Sequence, residues 1–168
     1  MDLTTDRFLL RPLTPAQVAL YILPDLLLEK DLGLAQRPRA IPPPVVVAIT
    51  ERVLPRLNDT TKNYLYSTFW TVIDKKTNTM LADICFKGEP NERGEIEIGY
   101  GTHAEFQGQG VMTEAVSGIL AWAFAQSEVQ AVLAETDIIN IASQRILEKN
   151  GFQLVNETAE SRFWQIKK

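Results

Sequence analysis

Several features are scarce or missing in this 168-residue sequence, and each absence excludes a class of protein. The single cysteine, Cys85, can form no disulfide within the chain, and the single histidine, His103, excludes a site with several imidazole ligands. The apolar segment 20–28 contains a proline and an aspartate, and no other run is long enough to span a bilayer. Asp2 and Asp6 stand where a secretory signal would carry Lys or Arg. We therefore expect a cytoplasmic protein with no membrane association and no metal.

The rest of the composition is that of an ordinary globular domain, with 45% hydrophobic and 23% charged residues. A chain of this length can build one hydrophobic core, so residues 1–168 are predicted to form a single domain. The formal net charge of -4 disfavours nucleic acid as a partner, because phosphate binding needs a basic surface. The same charge is compatible with a cationic substrate.

The spacing of apolar residues predicts a mixed α/β fold, with strands first and then alternating strands and helices. Near the N-terminus we expect a strand at 8–10, a helix that begins at Thr14-Pro15, and a helix over 45–57. The later part is predicted to contain strands at 66–73, 81–86, 95–100 and 129–135, helices at 112–123 and 141–149, and a hairpin of 152–155 with 162–166. The N-terminal third has the weakest patterns, and it is where elements that cover a substrate would lie.

A glycine-rich loop, QGQGVMTEA at 107–115, follows a predicted strand and opens a predicted helix. Gly108 and Gly110 lack side chains where a ligand would have to approach the backbone. The first amides of a helix have no internal partner and, with the helix dipole, form an anion site that suits a pyrophosphate. The loop has no lysine, which disfavours a nucleoside-triphosphate P-loop. A plain strand–helix turn would use the same glycines, so the loop alone leaves both interpretations open.

A second segment, NIASQRILEKNGF at 140–152, places two polar residues at the start of the next helix. Asn140 is well placed to cap that helix. Asn140 and Ser143 are three residues apart and lie on one side of the helix, where both could also hydrogen-bond a ligand between the two helices. Because only one predicted strand separates this pair from the glycine loop, a shared binding site is favoured.

Together these segments resemble the GNAT superfamily of N-acetyltransferases, especially the branch similar to ribosomal-protein N-terminal acetyltransferases of the RimJ/RimL type. The resemblance rests on RFLLRPLT, EIEIGY, QGQGVMTEA and NIASQRILEKNGF. The loop has the spacing of the superfamily, with Gln107 first and Gly110 fourth, and departs from it at Met112. The resemblance implies a mixed, mostly antiparallel central sheet with splayed central strands and flanking helices.

By this resemblance, acetyl-CoA is the co-substrate, and the loop binds the pyrophosphate of the coenzyme. The implied cofactor-binding residues are Gln107, Gly108, Gln109, Gly110, Val111, Met112, Thr113, Asn140 and Ser143. Asn140 would reach the pantetheine arm, and Ser143 would lie near the thioester sulfur. Many of these enzymes carry a general-acid tyrosine seven residues after the asparagine, where this chain has Leu147. The acid is then Ser143, a water, or absent, since a thiolate is a tolerable leaving group.

An amine acceptor arrives protonated and must lose a proton before it attacks a thioester. Glu97 is our first candidate for the base, because it precedes the loop on a strand whose opposite face, with Ile96, Ile98 and Tyr100, is apolar. Glu95 shares its face and is the second candidate. His103 is either a proton relay or an ordinary strand-end residue, and Cys85 is expected to pack rather than react.

We therefore predict an N-acetyltransferase that moves an acetyl group to a primary amine by direct attack in a ternary complex. The acceptor is left open between a protein N-terminus and a small molecule, and the prediction allows a homodimer. Two alternatives remain. A non-catalytic acyl-CoA sensor on the same fold is kept open by Leu147, and a nucleotide-binding regulatory domain is disfavoured by the lysine-free loop.

Overall fold

The computed structural model describes residues 1–168, and all of its strands join one sheet. The strands are β1 (Leu3–Thr4), β2 (Phe8–Pro12), β3 (Phe69–Asp74), β4 (Thr79–Phe86), β5 (Glu95–Thr102), β6 (Ala131–Asp137), β7 (Gln153–Glu157) and β8 (Ser161–Lys167). Their order across the sheet is β1-β2-β3-β4-β5-β6-β8-β7. Every neighbouring pair is antiparallel except β5 and β6, which are parallel. The predicted mixed, mostly antiparallel sheet is confirmed.

Helices cover both faces of this sheet. They are α1 (Pro15–Tyr21), α2 (Leu27–Asp31), α3 (Pro43–Ala48), α4 (Leu54–Leu57), α5 (Val111–Ala125) and α6 (Ile141–Lys149). The larger core cluster joins the sheet to α5 and includes Val72, whereas the smaller cluster joins it to α1–α4 and includes the next residue, Ile73. Successive strand residues point to opposite faces, so one strand supplies both cores. None of the helices is long and apolar enough to cross a membrane.

The parallel pair at the centre of the sheet separates partway along its length. β5 and β6 are paired only over four residues each, from Glu95 opposite Ala131 to Ile98 opposite Ala134. Beyond Ile98, β5 runs on to Thr102 without pairing to β6. The splayed central strands implied by the resemblance are therefore present, and β5 has unpaired backbone groups on one side of the gap.

Two predictions for the N-terminal half have different outcomes. The predicted helix over 45–57 is confirmed, because α3, a π-helical segment (Ile49–Val53) and α4 follow one another without a break. Pro55 has no backbone N–H and cannot donate the hydrogen bond that a regular α-helix would make at that position. The wider turns of the π-helical segment just before it accommodate the missing donor.

The predicted strand over 66–73 begins too early. Tyr64–Tyr66 is a 3₁₀ turn, and the strand starts at Phe69. Asn63 caps the turn by accepting a hydrogen bond from the amide of Leu65, and the indole of Trp70 donates to the carbonyl of Leu65. These side-chain bonds override the strand preference of the aromatic residues.

Candidate active site

A groove of about 420 Å³ lies between the end of β5, the start of α5 and the start of α6. Eight of the nine predicted cofactor-binding residues line it, and they are Gln107, Gly108, Gly110, Val111, Met112, Thr113, Asn140 and Ser143. Gln109 does not line it, because its side chain turns back to donate a hydrogen bond to the carbonyl of Glu105. The structure thus brings together two sequence segments that were predicted to share a site.

The glycines of the loop are required by backbone conformation rather than by lack of space. Gly108 and Gly110 have φ angles of +73° and +74°, in the left-handed region that favours glycine. A β-carbon at Gly108 would meet no heavy atom within 4 Å, and one at Gly110 would meet only Arg7 Nη2, at 3.5 Å. The two left-handed residues turn the chain sharply from the β5 end into α5.

The N-terminus of α5 is open to the groove. Gly110 is the N-cap residue, and no side chain accepts a hydrogen bond from the first-turn amides. The N–H groups of Val111, Met112 and Thr113 therefore lack an internal partner and add to the positive end of the helix dipole. This arrangement favours an anionic ligand such as a phosphate.

Arg7 holds the outer side of the loop, a role that its neighbours in the sequence do not reveal. Its Nη1 donates to the carbonyl of Gln109 and its Nη2 to the carbonyl of Gly110, both at 3.2 Å. Its Nε donates to Glu114 Oε2 at 2.6 Å, and Glu114 Oε1 accepts from the Thr5 hydroxyl at 2.6 Å. About a hundred residues separate the partners along the chain, so no local signal could have revealed the contact.

Asn140 and Ser143 occupy the start of α6, at the other side of the groove. Asn140 Oδ1 accepts from the amide of Ser143 at 3.1 Å, so the predicted helix cap is present. The amide nitrogen of the Asn140 side chain makes no hydrogen bond within the chain and remains available to a ligand. At the far end of α6, Asn150 Nδ2 donates to the carbonyl of Thr113 at 3.1 Å, which ties the two helices together.

Tyr100 faces Ser143 across the groove. The Ser143 hydroxyl donates to the Tyr100 oxygen at 3.0 Å, and Tyr100 also lines the groove. Burial raises the pKa of Tyr100 above its usual value of 10.0, and the hydrogen bond with Ser143 partly opposes this. The phenol is therefore protonated at neutral pH. In the sequence, Tyr100 groups with the apolar residues of its strand, and only its position at the strand end hints at a polar role.

The two candidate bases lie on the other face of β5. Glu97 forms an ion pair with Lys87, and its side chain is about one-third exposed (34%). Glu95 is paired with Arg93 Nη2 at 3.0 Å and accepts from Asn91. Neither carboxylate lines the groove. Glu97 shares its face of β5 with Gly99 and Gly101, which have no side chains. At these two positions, only the backbone of the strand separates that face from the cofactor groove.

Comparison with known proteins gives the family. Residues 7–153 match the family described as the acetyltransferase (GNAT) domain. The chain belongs to the GNAT acetyltransferase family. The match includes the glycine loop, both groove helices and Tyr100, so the groove of this GNAT chain lies wholly within the family's domain.

Individual relatives agree with this assignment. The chain is 33% identical over 95 residues to an uncharacterized N-acetyltransferase, YjdG, of Bacillus subtilis, and the aligned region spans 56% of each chain. A solved ribosomal-protein-alanine acetyltransferase of Vibrio fischeri matches with a TM-score of 0.71 at 16% identity, over 99% of this chain and 96% of that one. RimL, a ribosomal-protein α-N-acetyltransferase solved in complex with coenzyme A, matches with a TM-score of 0.71 at 15% identity, over 99% and 98%. The two structures show that this GNAT fold is shared.

Three residues considered in the sequence, Leu147, Cys85 and His103, have structural positions that bear on their roles in this GNAT domain. Leu147 is fully buried, so α6 presents no acid to the groove at that position. Cys85 lies opposite Gly99, and burial raises the pKa of its thiol to about 11, which leaves no thiolate near neutrality. His103 Nε2 lies 3.4 Å from Asp83 Oδ2, on the side of β5 away from the groove. The three tryptophans, Trp70, Trp122 and Trp164, are all buried in the core.

Proposed function

We propose that this GNAT protein is an acetyl-CoA-dependent N-acetyltransferase that acetylates a primary amine. One observation carries the proposal. A single groove unites an open helix N-terminus, which suits a pyrophosphate, with a hydrogen-bonded Ser143–Tyr100 pair at its other side. A pyrophosphate at one end and a reactive acyl group at the other are the two ends of acetyl-CoA.

The coenzyme would bind along this groove. Its pyrophosphate would accept hydrogen bonds from the loop and the first amides of α5, which Arg7 holds in place from behind. The pantetheine arm would lie in the gap between β5 and β6, where the backbone of β5 beyond Ile98 has no strand partner. Asn140 would bind the arm through its free amide nitrogen. The thioester would then lie near Ser143.

The reaction would be a direct transfer within a ternary complex. The amine loses a proton, its nitrogen attacks the thioester carbon, and the carbon–sulfur bond breaks to give an amide and coenzyme A. Glu97 is the proposed base, because it lies on the face of β5 where the glycines at 99 and 101 would let an amine approach. A fixed geometry for the two substrates would supply a large part of the rate.

The departing thiolate needs a proton that Leu147 cannot supply. In the free protein the Ser143 hydroxyl donates to the Tyr100 oxygen at 3.0 Å, and the Tyr100 hydroxyl donates to the Ser143 carbonyl at 3.3 Å. Ser143 would turn its proton to the thiolate, Tyr100 would turn its own proton to the Ser143 oxygen, and solvent would then reprotonate Tyr100. The buried phenol suits this role because its raised pKa keeps it protonated through the neutral range. In this proposal, Tyr100 on β5 takes the place of the tyrosine that other members of the superfamily carry on the helix.

Two classes of acceptor fit the proposed chemistry. Structural relatives are described as acetyltransferases of ribosomal proteins, which makes a protein amino terminus one class. A small molecule with a primary amine is the other. Both require a neutral amine on the Glu97 face of β5.

The test combines binding and turnover. Isothermal titration should show binding of acetyl-CoA and coenzyme A, and release of the free thiol should be measured with a panel of amines and amino-terminal peptides. Turnover with at least one amine is expected. The alternative function, a non-catalytic acyl-CoA sensor, is favoured by the buried Leu147 and predicts tight binding of acetyl-CoA with no turnover.

A further inference from the structure

Four buried side-chain atoms in this chain have no hydrogen-bond partner, and all four belong to one cluster. They are Glu29 Oε2, Arg39 Nη1, Asp83 Oδ1 and His103 Nε2. Buried polar atoms in proteins are almost always paired, so a group of unpaired atoms in one place needs an explanation. The cluster lies on the face of the sheet that carries α1 and α2, away from the coenzyme groove.

The cluster is a connected set of charged and polar side chains. Glu29 and Arg39 are nearly fully buried, with 2% and 8% of their side chains exposed, and Arg39 Nε donates to Glu29 Oε1 at 2.7 Å. The Arg39 guanidinium stacks on the ring of Tyr21, 4.1 Å from its centre. Tyr21 donates to Asp83 Oδ2 at 2.7 Å, and His103 Nε2 lies 3.4 Å from the same oxygen.

The direction of the hydrogen bond between Tyr21 and Asp83 follows from the environment of the phenol. Burial and the neighbouring Asp83 carboxylate raise the pKa of Tyr21, so the phenol stays protonated and acts as a donor to Asp83. Asp83 then has one oxygen bonded and the other unpaired. Glu29 likewise has one oxygen bonded to Arg39 and the other unpaired. Two carboxylate oxygens, one guanidinium nitrogen and one imidazole nitrogen therefore await partners.

A cavity of about 230 Å³ adjoins the cluster and is lined by Glu29, Arg39 and His103. Arg37 and Glu105 also line it, and Arg37 is exposed and forms no ion pair. The cavity has about half the volume of the coenzyme groove, which suits a ligand much smaller than coenzyme A. The loop 35–40, which has no regular secondary structure, forms part of its wall and would shift to admit a ligand to the buried atoms.

The cavity and the coenzyme groove lie on the two sides of the β5 end. Thr102 lines the groove, and the next residue, His103, lines the cavity. Asp83 stands opposite Gly101 in the β4–β5 register. A β-carbon at Gly101 would meet no heavy atom within 4 Å, so open space lies beside the strand at this point.

We propose that this cavity binds the amine substrate, and that the substrate is a small zwitterion of the α-amino acid type. The ammonium group would donate to the unpaired oxygen of Glu29 in the cavity wall and to that of Asp83 behind His103, and the carboxylate would accept from Arg39 Nη1 and from Arg37 at the mouth. Before transfer, the ammonium proton would pass through water to Glu97, the proposed base, which precedes Gly101 by four residues on the same face of β5. The inference rests on the proposed acetyltransferase function, because it names the acceptor of that same reaction. Its direct binding test does not depend on turnover.

The experiment compares matched compounds on the intact protein. Standard α-amino acids are tested against their decarboxylated amines and their amides, by thiol release with acetyl-CoA and by isothermal titration into the protein saturated with coenzyme A. We expect at least one amino acid to exceed both derivatives by about tenfold or more in kcat/KM and in affinity, as for the loss of a charged hydrogen bond. Equal use of the decarboxylated amine, the amide or a short peptide would overturn the proposal, because the carboxylate would then not be recognised.

Two variants test whether the preference for amino acids over their derivatives arises at the cavity. Arg37→Ala changes an exposed, unpaired residue and should raise the KM for the amino acid about tenfold, leaving the KM for acetyl-CoA and for the decarboxylated amine unchanged. Asp83→Asn keeps the shape and should raise the KM for both amines, again without a change for acetyl-CoA. Arg52→Ala, another exposed arginine without an ion pair, is the matched control.

The outcomes separate this inference from the proposed function. Amino acid binding that depends on Arg37, with no turnover of any amine, would support the cavity and contradict the acetyltransferase. Turnover of amines with no preference for amino acids, or an unchanged preference in Arg37→Ala, would contradict the cavity and leave the acetyltransferase intact. If Asp83→Asn does not fold, Arg37→Ala decides the matter by itself.

Discussion

The two sides of the β5 end are built in contrasting ways. On the coenzyme side, the polar groups that await a ligand are helix amides and small side chains, and they come from two neighbouring segments of the sequence. On the other side, the unpaired groups are charged side chains from separate elements, Glu29 on α2, Arg39 on a loop, Asp83 on β4 and His103 after β5. The first kind of site uses the backbone geometry that a short motif encodes. The second exists only when distant parts of the chain have packed together.

The side of the β5 end opposite the coenzyme groove is the amine side, where the acceptor is proposed to bind. The largest effect should come from Glu97, the proposed base on this side. Glu97→Gln keeps the shape of the side chain and removes its basicity, so turnover should fall by about 100-fold with acetyl-CoA affinity retained. The variant should recover partly as pH rises, because free amine becomes available. Steady-state rates against pH and isothermal titration provide the measurement.

Glu95→Gln is the matched control for Glu97, since it changes a carboxylate on the same face and strand. If Glu97→Gln has a normal rate and Glu95→Gln is slow, then the base is Glu95, the neighbouring residue on the same face of the strand. Normal rates for both would remove the strand carboxylates from the mechanism.

The next-largest effect tests whether coenzyme binding depends on the left-handed backbone conformation of the glycine loop. Gly110→Val places a β-branched residue at φ +74° and should weaken binding of coenzyme A by about tenfold to a hundredfold. Gly33→Val is the matched control, because Gly33 has φ +67° and open space around it but lies outside the groove. Equal affinity of Gly110→Val and wild type in isothermal titration would show that the site is assigned wrongly.

Tyr100 lies at the β5 end, between the coenzyme side and the amine side. Its substitution tests whether its hydroxyl contributes the proton that the departing thiolate receives. Tyr100→Phe should lower kcat by about tenfold with little change in the KM for acetyl-CoA, because Ser143 loses its hydroxyl partner. The loss should be constant with pH below 10, since the raised pKa keeps the phenol protonated there. Tyr64→Phe, which alters an exposed tyrosine, should have a normal kcat. A normal kcat for Tyr100→Phe would leave Ser143 or water as the sole donor.

Asn140 has a structural role as well as the proposed ligand contact, and one variant separates them. Asn140→Ala removes the side-chain oxygen that accepts from Ser143, which should lower the free energy of unfolding by about 1 kcal/mol. If Asn140 also binds pantetheine, coenzyme A affinity should fall several-fold. Urea unfolding and isothermal titration must be measured together. Lower stability with unchanged affinity would leave capping as its only role.

The smallest effect concerns Glu114, which holds Arg7 behind the loop. Burial would raise the pKa of Glu114, but hydrogen bonds from Thr5 and Arg7 outweigh it and hold the pKa below its usual value of 4.5. Because the folded pKa is depressed, this carboxylate stabilises the fold above pH 4.5, and the contribution disappears as pH falls through the folded pKa. Glu114→Gln should lower the unfolding free energy at neutral pH by less than about 1 kcal/mol and weaken the pH dependence below 4.5. An unchanged acid profile in urea unfolding would show that the pair adds nothing.

Local patterns were enough to predict much of the coenzyme side. The spacing of apolar residues predicted the helix over 112–123 that is found as α5, the glycines before it predicted a tight turn, and Asn140 was identified as a cap. Each of these features depends on residues within a few positions of one another. Backbone hydrogen bonding and side-chain spacing act over the same short range, so a sequence motif can encode them.

Apart from the strand carboxylates Glu95 and Glu97, the charged residues of the amine side could not be predicted in this way. Tyr100 was grouped with the apolar residues of its strand, and Glu29, Arg39 and Asp83 gave no local signal, because nothing near them in the chain shows what they contact. The strand over 66–73 was predicted to begin at a tyrosine that instead packs in a turn against Trp122.

The sequence by itself thus determined the mixed sheet, the open helix N-terminus and the glycine loop, since these arise from local backbone preferences. Only the tertiary structure decided which carboxylates are buried, which guanidinium stacks on Tyr21, and how Arg7 reaches a loop about a hundred residues away. Burial and long-range pairing depend on how the elements pack, and side-chain electrostatics in this protein follow from that packing.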